Sequence, residues 1–409
     1  MKLNRKKPRV IIVGANFAGL TAASKLGKAY DLTVIAPTQY FQWTPNIHEL
    51  LSDVKKPANL SLNLKSIITR LGHRYINQSV TAIDGNTQTV TLDNQQTLNY
   101  DVLLIASGHA RSNYGIKGAS KYAYGFRTAD EVIQIHKDIA AALNTTKDII
   151  NINIIGGGFT GVEVLGELLR KYSTNKRLHI NVIDSASRLA QALPEKLSED
   201  IIGHCKNYRI NFHFNTNITE VKKSSIHFSD DKSIKSDLSI WAAGTKLPNY
   251  LQGIDTEASS SGLAVNTYLQ SNNFSNIFIA GDSATLPEPL PKQASIALNM
   301  GQHAAINIAR FFAKKPLKAF KLGTTPVLLS FGDINTYFIQ GNLVLASPML
   351  AAAKEAVYQI YMARLSTLLP LEQRALSLAS RVSISAEKLL LAEILKLRPK
   401  VLLQRSKIL

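Results

Sequence analysis

The sequence predicts an α/β fold with two βαβ units, one set inside the other, and a basic helical tail after them. Three observations carry this: a strand–turn–helix with two glycines at residues 9–26, a cleaner copy at 149–184, and three later stretches in which a strand runs into a small-residue turn.

The first unit reads Val10-Ile11-Ile12-Val13 into Gly14, with Ala18 and Gly19 opening a helix-forming stretch. A glycine turn between strand and helix presents backbone N–H groups and the positive helix end, the setting that binds a dinucleotide pyrophosphate in a Rossmann-like domain. The middle position, where the backbone comes closest to the phosphates, is Asn16, followed by Phe17. Asparagine tolerates positive φ, so the turn is expected to form around Asn16 with its amide within reach of the pyrophosphate.

The second unit is complete. Ile150–Ile155 runs into Gly156-Gly157-Gly158-Phe159-Thr160-Gly161, a helix to about Tyr172, and a strand, LHINVID, ending at Asp184. The acid lies 23 residues past Gly161, close to the roughly 20 that place a carboxylate on the adenosine ribose hydroxyls. Such a carboxylate repels a 2′-phosphate, so Asp184 favours NADH over NADPH. Arg188, just beyond it, could soften that preference.

Composition bounds the rest. The 409 residues, 45% hydrophobic and 19% charged, suit a globular chain of two or three domains. The single cysteine, Cys205, excludes a disulfide framework and any Cys-x-x-Cys redox or zinc motif, and reads as apolar filler on a helix. His48, His204, His213 and His227 lack metal-ligand spacing and read as structural, so no metal is expected. A formal charge of +18 points to anionic partners. No recognition module or basic–aromatic interleaving is present, which argues against nucleic acid. The N-terminus MKLNRKKPRV lacks the apolar region of a secretory signal, and no stretch approaches the ~18 apolar residues of a spanning helix.

The three later stretches are YDVLLIASGH (100–109), SDLSIWAAGTKLPN (236–249) and NIFIAGDSA (276–284), with turns at Ala106-Ser107-Gly108, Ala243-Gly244 and Gly281-Asp282. Together with the two glycine turns, in this order, they resemble the two-dinucleotide-binding-domain flavoproteins, and within them the type II NADH dehydrogenases. The resemblance covers about residues 8–330 and, more loosely, the tail. YFQWTPNIHELL (40–51), GIKGASKYAYGFRTADEV (115–132) and PKQASIALNMGQHAAINI (291–308) add to it.

The resemblance implies an FAD domain in two segments, 8–112 and 244–325, an inserted NAD(P)H domain, 113–243, and a C-terminal domain, 326–409. It implies FAD contacts from Gly14, Asn16, Phe17, Ala18, Gly19, Thr44, Pro45, Val80, Ala106, Ser107, Gly108, Gly281, Asp282, Ala294 and Ser295, with Asp282 on the ribityl hydroxyls. It implies NADH contacts from Gly156, Gly158, Phe159, Thr160, Gly161, Glu163, Asp184, Ala243 and Gly244. Hydride would pass from NADH C4 to flavin N5, with Glu163 orienting the nicotinamide amide or relaying a proton. The helix from Ala294 would aim its positive end at the flavin pyrimidine edge. Thr44-Pro45-Asn46 stands where disulfide reductases place redox cysteines, which excludes those relatives and the sulfide–quinone reductases. Two departures stand out. Ala36 ends the strand LTVIAP where the family carries a ribose-binding acid, leaving Thr38 or Gln39 for the ribose. Ser295 and Asn299 replace glutamines of the quinone pocket. The implied activity is a non-proton-pumping NADH:quinone oxidoreductase. A soluble NAD(P)H-dependent reductase of another acceptor, and a slow-turnover nucleotide sensor, are the alternatives.

From Lys354 the chain turns basic, with ten Lys or Arg against four Glu up to Leu409. In KEAVYQIYMARLSTLL, helical spacing puts Val357, Tyr358, Tyr361, Met362, Leu365, Leu368 and Leu369 on one face and Glu355, Gln359 and Ser366 on the other. This reads as an interfacial anchor on the cytoplasmic face of a bacterial inner membrane. A self-packing tail, or one that pairs with a second copy of the chain as a homodimer, is the alternative.

Overall fold

A computed structural model describes residues 6–251, 254, 262–323, 325–366 and 406–409. Strands β1 (Arg9–Val13), β2 (Asp31–Ile35), β3 (Arg74–Ile76) and β4 (Val102–Ile105) form a parallel sheet in the order β4-β1-β2-β3. Residues 10–13, 32–35 and 102–105 are buried without a break, the pattern of a parallel sheet covered on both faces. Helix α1 (Phe17–Lys25) follows β1 directly.

The second sheet is built after α2 (Ala129–Leu143), whose start is fixed by a capping box between Thr128 and Glu131. Strands β5 (Ile150–Ile155), β6 (Leu178–Ile183), β7 (Ile210–His213) and β8 (Leu238–Trp241) run parallel in the order β8-β5-β6-β7, with Tyr124–Gly125 on the β8 edge. Helices α3 (Phe159–Tyr172) and α4 (Glu195–Cys205) connect them. An Ile-Asn dipeptide recurs in β5, β6 and β7, and the register aligns Asn153, Asn181 and Asn211. Asn181 Nδ2 donates to Asn153 Oδ1 at 2.8 Å and Asn211 Nδ2 to Asn181 Oδ1 at 3.2 Å. This ladder makes any slip of one strand cost buried hydrogen bonds.

The chain then returns. Strand β9 (Ile277–Ile279) pairs with β4, completing the first sheet as β9-β4-β1-β2-β3. Helix α5 (Ala294–Phe312) lies across α1 at Gly301, where a Cβ would stand 2.2 Å from Ala18 O. Only glycine allows that approach.

A C-terminal antiparallel sheet follows, where the sequence led us to expect helices. Strands β10 (Val327–Phe331), β11 (Asn335–Gln340) and β12 (Leu343–Ser347) form a meander through turns at Gly332-Asp333 and Gly341-Asn342, and β13 (Lys407–Ile408) returns to pair with β12. Helix α6 (Leu350–Ser366) lies between β12 and β13. Its observed faces correct the expected ones. Lys354, Glu355, Tyr358, Met362 and Ser366 are buried, whereas Val357 and Ile360 are 43% and 67% exposed. Glu355 and Lys354 turn inward because ion partners wait there, which overrides the apolar periodicity. The rest of the tail, with Leu368 and Leu369, lies outside the described residues. Among the described residues no helix is long and apolar enough to cross a membrane.

Candidate functional site

The two glycine turns are conformational copies. Gly14 has φ +101° and Gly156 φ +102°, a region that favours glycine. A Cβ on Gly14 would stand 2.3 Å from Ala106 O, and one on Gly156 2.8 Å from Ala243 Cβ. Ala106-Ser107 and Ala242-Ala243 are therefore the second walls of the two crevices, which brings the predicted Ala106, Ser107, Gly108, Ala243 and Gly244 to the turns. Gly19 and Gly161 let each helix settle on its own turn, since a Cβ at either would stand 1.9 Å from the carbonyl oxygen of Gly14 or Gly156.

Asn16 takes a conformation other than the one expected. Its φ of −93° and ψ of −148° nearly match the −72° and −163° of Gly158. The positive φ is carried by Gly14, so asparagine is tolerated at 16 without any left-handed strain. Its Oδ1 is buried beside the first turn of α1 with no hydrogen-bond partner among the described residues. A flip of the amide offers a donor there instead, so the position fits a pyrophosphate-bearing cofactor. Phe17 is buried edge-on against Phe41 and Trp43, whereas Phe159 at the equivalent position is 39% exposed, with Thr160 half-buried beside it.

At the end of β2, Ala36 is buried and its carbonyl accepts a hydrogen bond from Asn77 Nδ2 at 3.0 Å. The Thr38 hydroxyl donates to Tyr40 O instead. Asn77, which the sequence did not single out, is thus a polar side chain bound at the position of the missing acid. At the end of β6, Asp184 accepts from Gly157 N at 2.5 Å and Ala186 N at 2.8 Å. The Arg188 guanidinium donates to the carbonyls of Leu189, Ala190, Gln191 and Leu193. It ties its own loop together.

Asp282 sits in a 3-10 turn, Gly281–Ser283, after β9, and the Ser283 hydroxyl donates to Gly108 O at 3.0 Å. Burial pushes the Asp282 carboxyl up, against the pull of Lys292 and Arg127. Ala294 and Ser295 form the half-buried first turn of α5, and Asn299, one turn on, is exposed. Thr44 and Pro45 open the 3-10 helix Thr44–Leu50. Val80 lines a cavity of ≈ 380 Å³ with Thr81, Ala110 and Tyr250.

Glu163 lies in the first turns of α3 and is buried between two basic residues. Lys354 Nζ of α6 stands 2.6 Å from its Oε1, and His48 Nδ1 3.2 Å from its Oε2. The His48 contact lacks hydrogen-bond alignment, and neither ring nitrogen has a hydrogen-bond partner among the described residues. Burial raises the Glu163 carboxyl, but His48 and Lys354 outweigh it and hold the group below the usual range. One residue along α6, Glu355 pairs with the buried Lys55 at 2.8 Å, which also lies 3.5 Å from Glu49 and over the Tyr358 ring. Adjacent residues of one helix therefore grip both nucleotide domains. The sequence pointed to Glu163 but missed both its partners. Their signals are a Lys-Glu pair interrupting an apolar helix and a His-Glu pair after Thr44-Pro45.

Two dinucleotide crevices meeting at one buried charge cluster define an oxidoreductase that moves electrons between two nucleotide cofactors. Residues 8–301 match the profile of the pyridine nucleotide-disulphide oxidoreductase family, and the chain belongs to that family. It is 26% identical over 361 residues to the type II NADH:quinone oxidoreductase of Staphylococcus aureus, covering 81% of this chain and 89% of that protein. It is likewise 26% identical over 402 residues to that of Haemophilus influenzae, covering 85% and 90%. Among solved structures, NDH2 from Plasmodium falciparum in complex with NADH superposes with a TM-score of 0.81 at 18% identity, covering 94% of this chain and 98% of that one.

Proposed function

We propose that this chain is an FAD-dependent NADH dehydrogenase that hands its electrons to a quinone at a membrane surface. The observation that carries the reading is Glu163. It stands in the first turns of the NADH-binding helix, touches a residue of the FAD segment, and is held ionised by a C-terminal lysine. FAD, when bound, supplies a hydride acceptor at N5 and a donor of electrons to the acceptor. The protein's part is binding, orientation and proton movement. The Gly14–Gly19 turn and the α1 N-terminus hold the FAD pyrophosphate, with Asp282 on the ribityl hydroxyls. The Gly156–Gly161 turn and Asp184 hold NADH. Glu163, between Lys354 and His48, orients the nicotinamide amide or relays a proton. Ser295 and Asn299 face that acceptor. Cys205 is buried in α4 with its thiol pushed up to about 12, so it offers no thiolate for disulfide exchange. The basic C-terminal segment brings the protein to the membrane as a peripheral enzyme.

The test is the visible spectrum of the purified protein, followed by NADH oxidation with a short-chain quinone as acceptor. A yellow protein with quinone-dependent turnover is the expected result. A colourless protein that also refuses added FAD would end the reading.

A further inference from the structure

Beyond the glycine turn, the FAD crevice carries a second group of charged side chains from separate elements. His109 follows the Ala106-Ser107-Gly108 turn and is buried. Arg127, just before α2, donates Nη2 to His109 O at 2.7 Å. Lys292, two residues before α5, places Nζ 2.5 Å from His109 Nε2 and 3.3 Å from Asp282 O. Arg127 and Lys292 are solvent-accessible, yet desolvation lowers the pKa of both.

The direction of the cofactor follows from the sheet. Pyrophosphate belongs at the α1 N-terminus, and the adenosine runs towards the end of β2. The remainder must run the other way, past the ends of β4 and β9, to Ser107, Asp282 and the N-terminus of α5. Lys292 stands on that side. A flavin that takes up a hydride would carry negative charge on the N1–C2=O edge of its ring system. An ammonium group and a helix N-terminus on that side would stabilise such a charge.

Resting on the FAD assignment above, we infer that Lys292, held in place by the His109 ring, is the cation that stabilises the anionic charge of the reduced flavin. The helix end supplies only a partial charge; Lys292 adds a full one on a side chain fixed by His109 and by the Asp282 carbonyl.

Sulfite reads this field without NADH or an acceptor. Its sulfur lone pair forms the S–N5 bond, and the displaced ring pair settles on N1–C2=O, so the adduct bleaches the flavin band with no external electron. Wild type, K292Q, K292M and K292R are each loaded with FAD and titrated with sulfite, and the two-electron midpoint potential is measured beside it. We expect K292Q and K292M to lose about tenfold in sulfite affinity and to fall by about 30 mV, the equivalent of tenfold for a two-electron couple. K292R should stay within about threefold of wild type. Unchanged sulfite affinity in FAD-loaded K292Q and K292M overturns the inference and leaves the enzyme assignment standing. Loss of FAD from both also overturns it, since Lys292 is then a binding residue. A wild type that takes no FAD overturns both readings together.

Discussion

Replacing Lys354 by methionine keeps the stem of the side chain and removes its charge from Glu163. In the wild type the pair is 2.6 Å apart, with side chains 10% and 8% exposed. Removing one partner of a buried pair costs roughly 3–5 kcal/mol, because the other charge is left in a low-dielectric site. His48 remains 3.2 Å away, which places the expected cost near the lower end. At roughly 2–4 °C per kcal/mol for a domain of this size, the FAD-loaded protein should melt about 6–12 °C lower. The sign with pH is fixed by the depressed carboxyl. A folded pKa below the unfolded ~4.3 contributes stability that is complete above that value and fades as pH falls through the folded pKa. In K354M less opposes the upward push of burial, so Glu163 can relieve its isolation by taking a proton. The deficit should therefore shrink from about pH 8 to about pH 5. E163Q/K354M should recover most of the loss, since no charge is then stranded. Flavin fluorescence on melting, for wild type, K354M and E163Q/K354M at both pH values, is the assay. A K354M melting within about 1 °C of wild type, or a double variant worse than K354M, would refute the reasoning.

Three further outcomes follow from the same contacts. D184A loses a carboxylate that also staples Gly157 N and Ala186 N, so its kcat/KM for NADH should fall at least tenfold, through roughly 1.5–3 kcal/mol per charged hydrogen bond; R188A should leave the NADH-to-NADPH ratio unchanged, and a gain in NADPH use would show that the arginine was excluding it. N181V breaks the asparagine ladder at its centre and should destabilise by about 1–3 kcal/mol per stranded partner, read as a lower denaturation midpoint with NADH affinity little changed at the lowest denaturant. Truncation after Ala353 should abolish NADH-to-flavin transfer, because it removes Lys354 and Glu355, whereas replacing residues 367–405 by a flexible linker should spare transfer and weaken binding to anionic vesicles, each lost basic residue near the surface accounting for about 1 kcal/mol; vesicle binding by the linker protein equal to that of the intact chain would locate the membrane contact elsewhere.

The parts legible in the sequence are those that the chain specifies locally. The turn at Gly156 needs a strand, a positive φ and a helix within about fifteen residues, and each leaves a residue-type signature. The same holds for Gly14, even with Asn16 in the middle, because the strained position is Gly14 and Asn16 takes an ordinary conformation. Arg188 shows what a local reading leaves out. Its position beside Asp184 suggests an effect on the preference between NADH and NADPH, whereas the four carbonyls of its own loop that hold the guanidinium leave no signature in the sequence. The β10–β12 meander has turn signals at Gly332-Asp333 and Gly341-Asn342, but its strands of five or six residues carry a weaker periodic signal than the helix that follows them.

The Glu163 site could not have been read along the chain, since Lys354 is 191 residues away. It was hidden a second time by the pattern of α6. Periodicity assigns the apolar side inward because burial of apolar area is the usual driving force, and by that rule Val357 belongs inside and Glu355 outside. Here Lys354 and Glu355 meet Glu163 and Lys55, each already buried. Losing both of those pairs would cost more than exposing Val357 and Ile360, since breaking a buried pair costs roughly 3–5 kcal/mol and exposing a buried aliphatic side chain about 1.5–3. The helix phase is set by the ion pairs. Val357 and Ile360, which it leaves in solvent, are apolar side chains exposed by that choice. The helix that completes the Glu163 site is thereby also the one that turns apolar side chains outward.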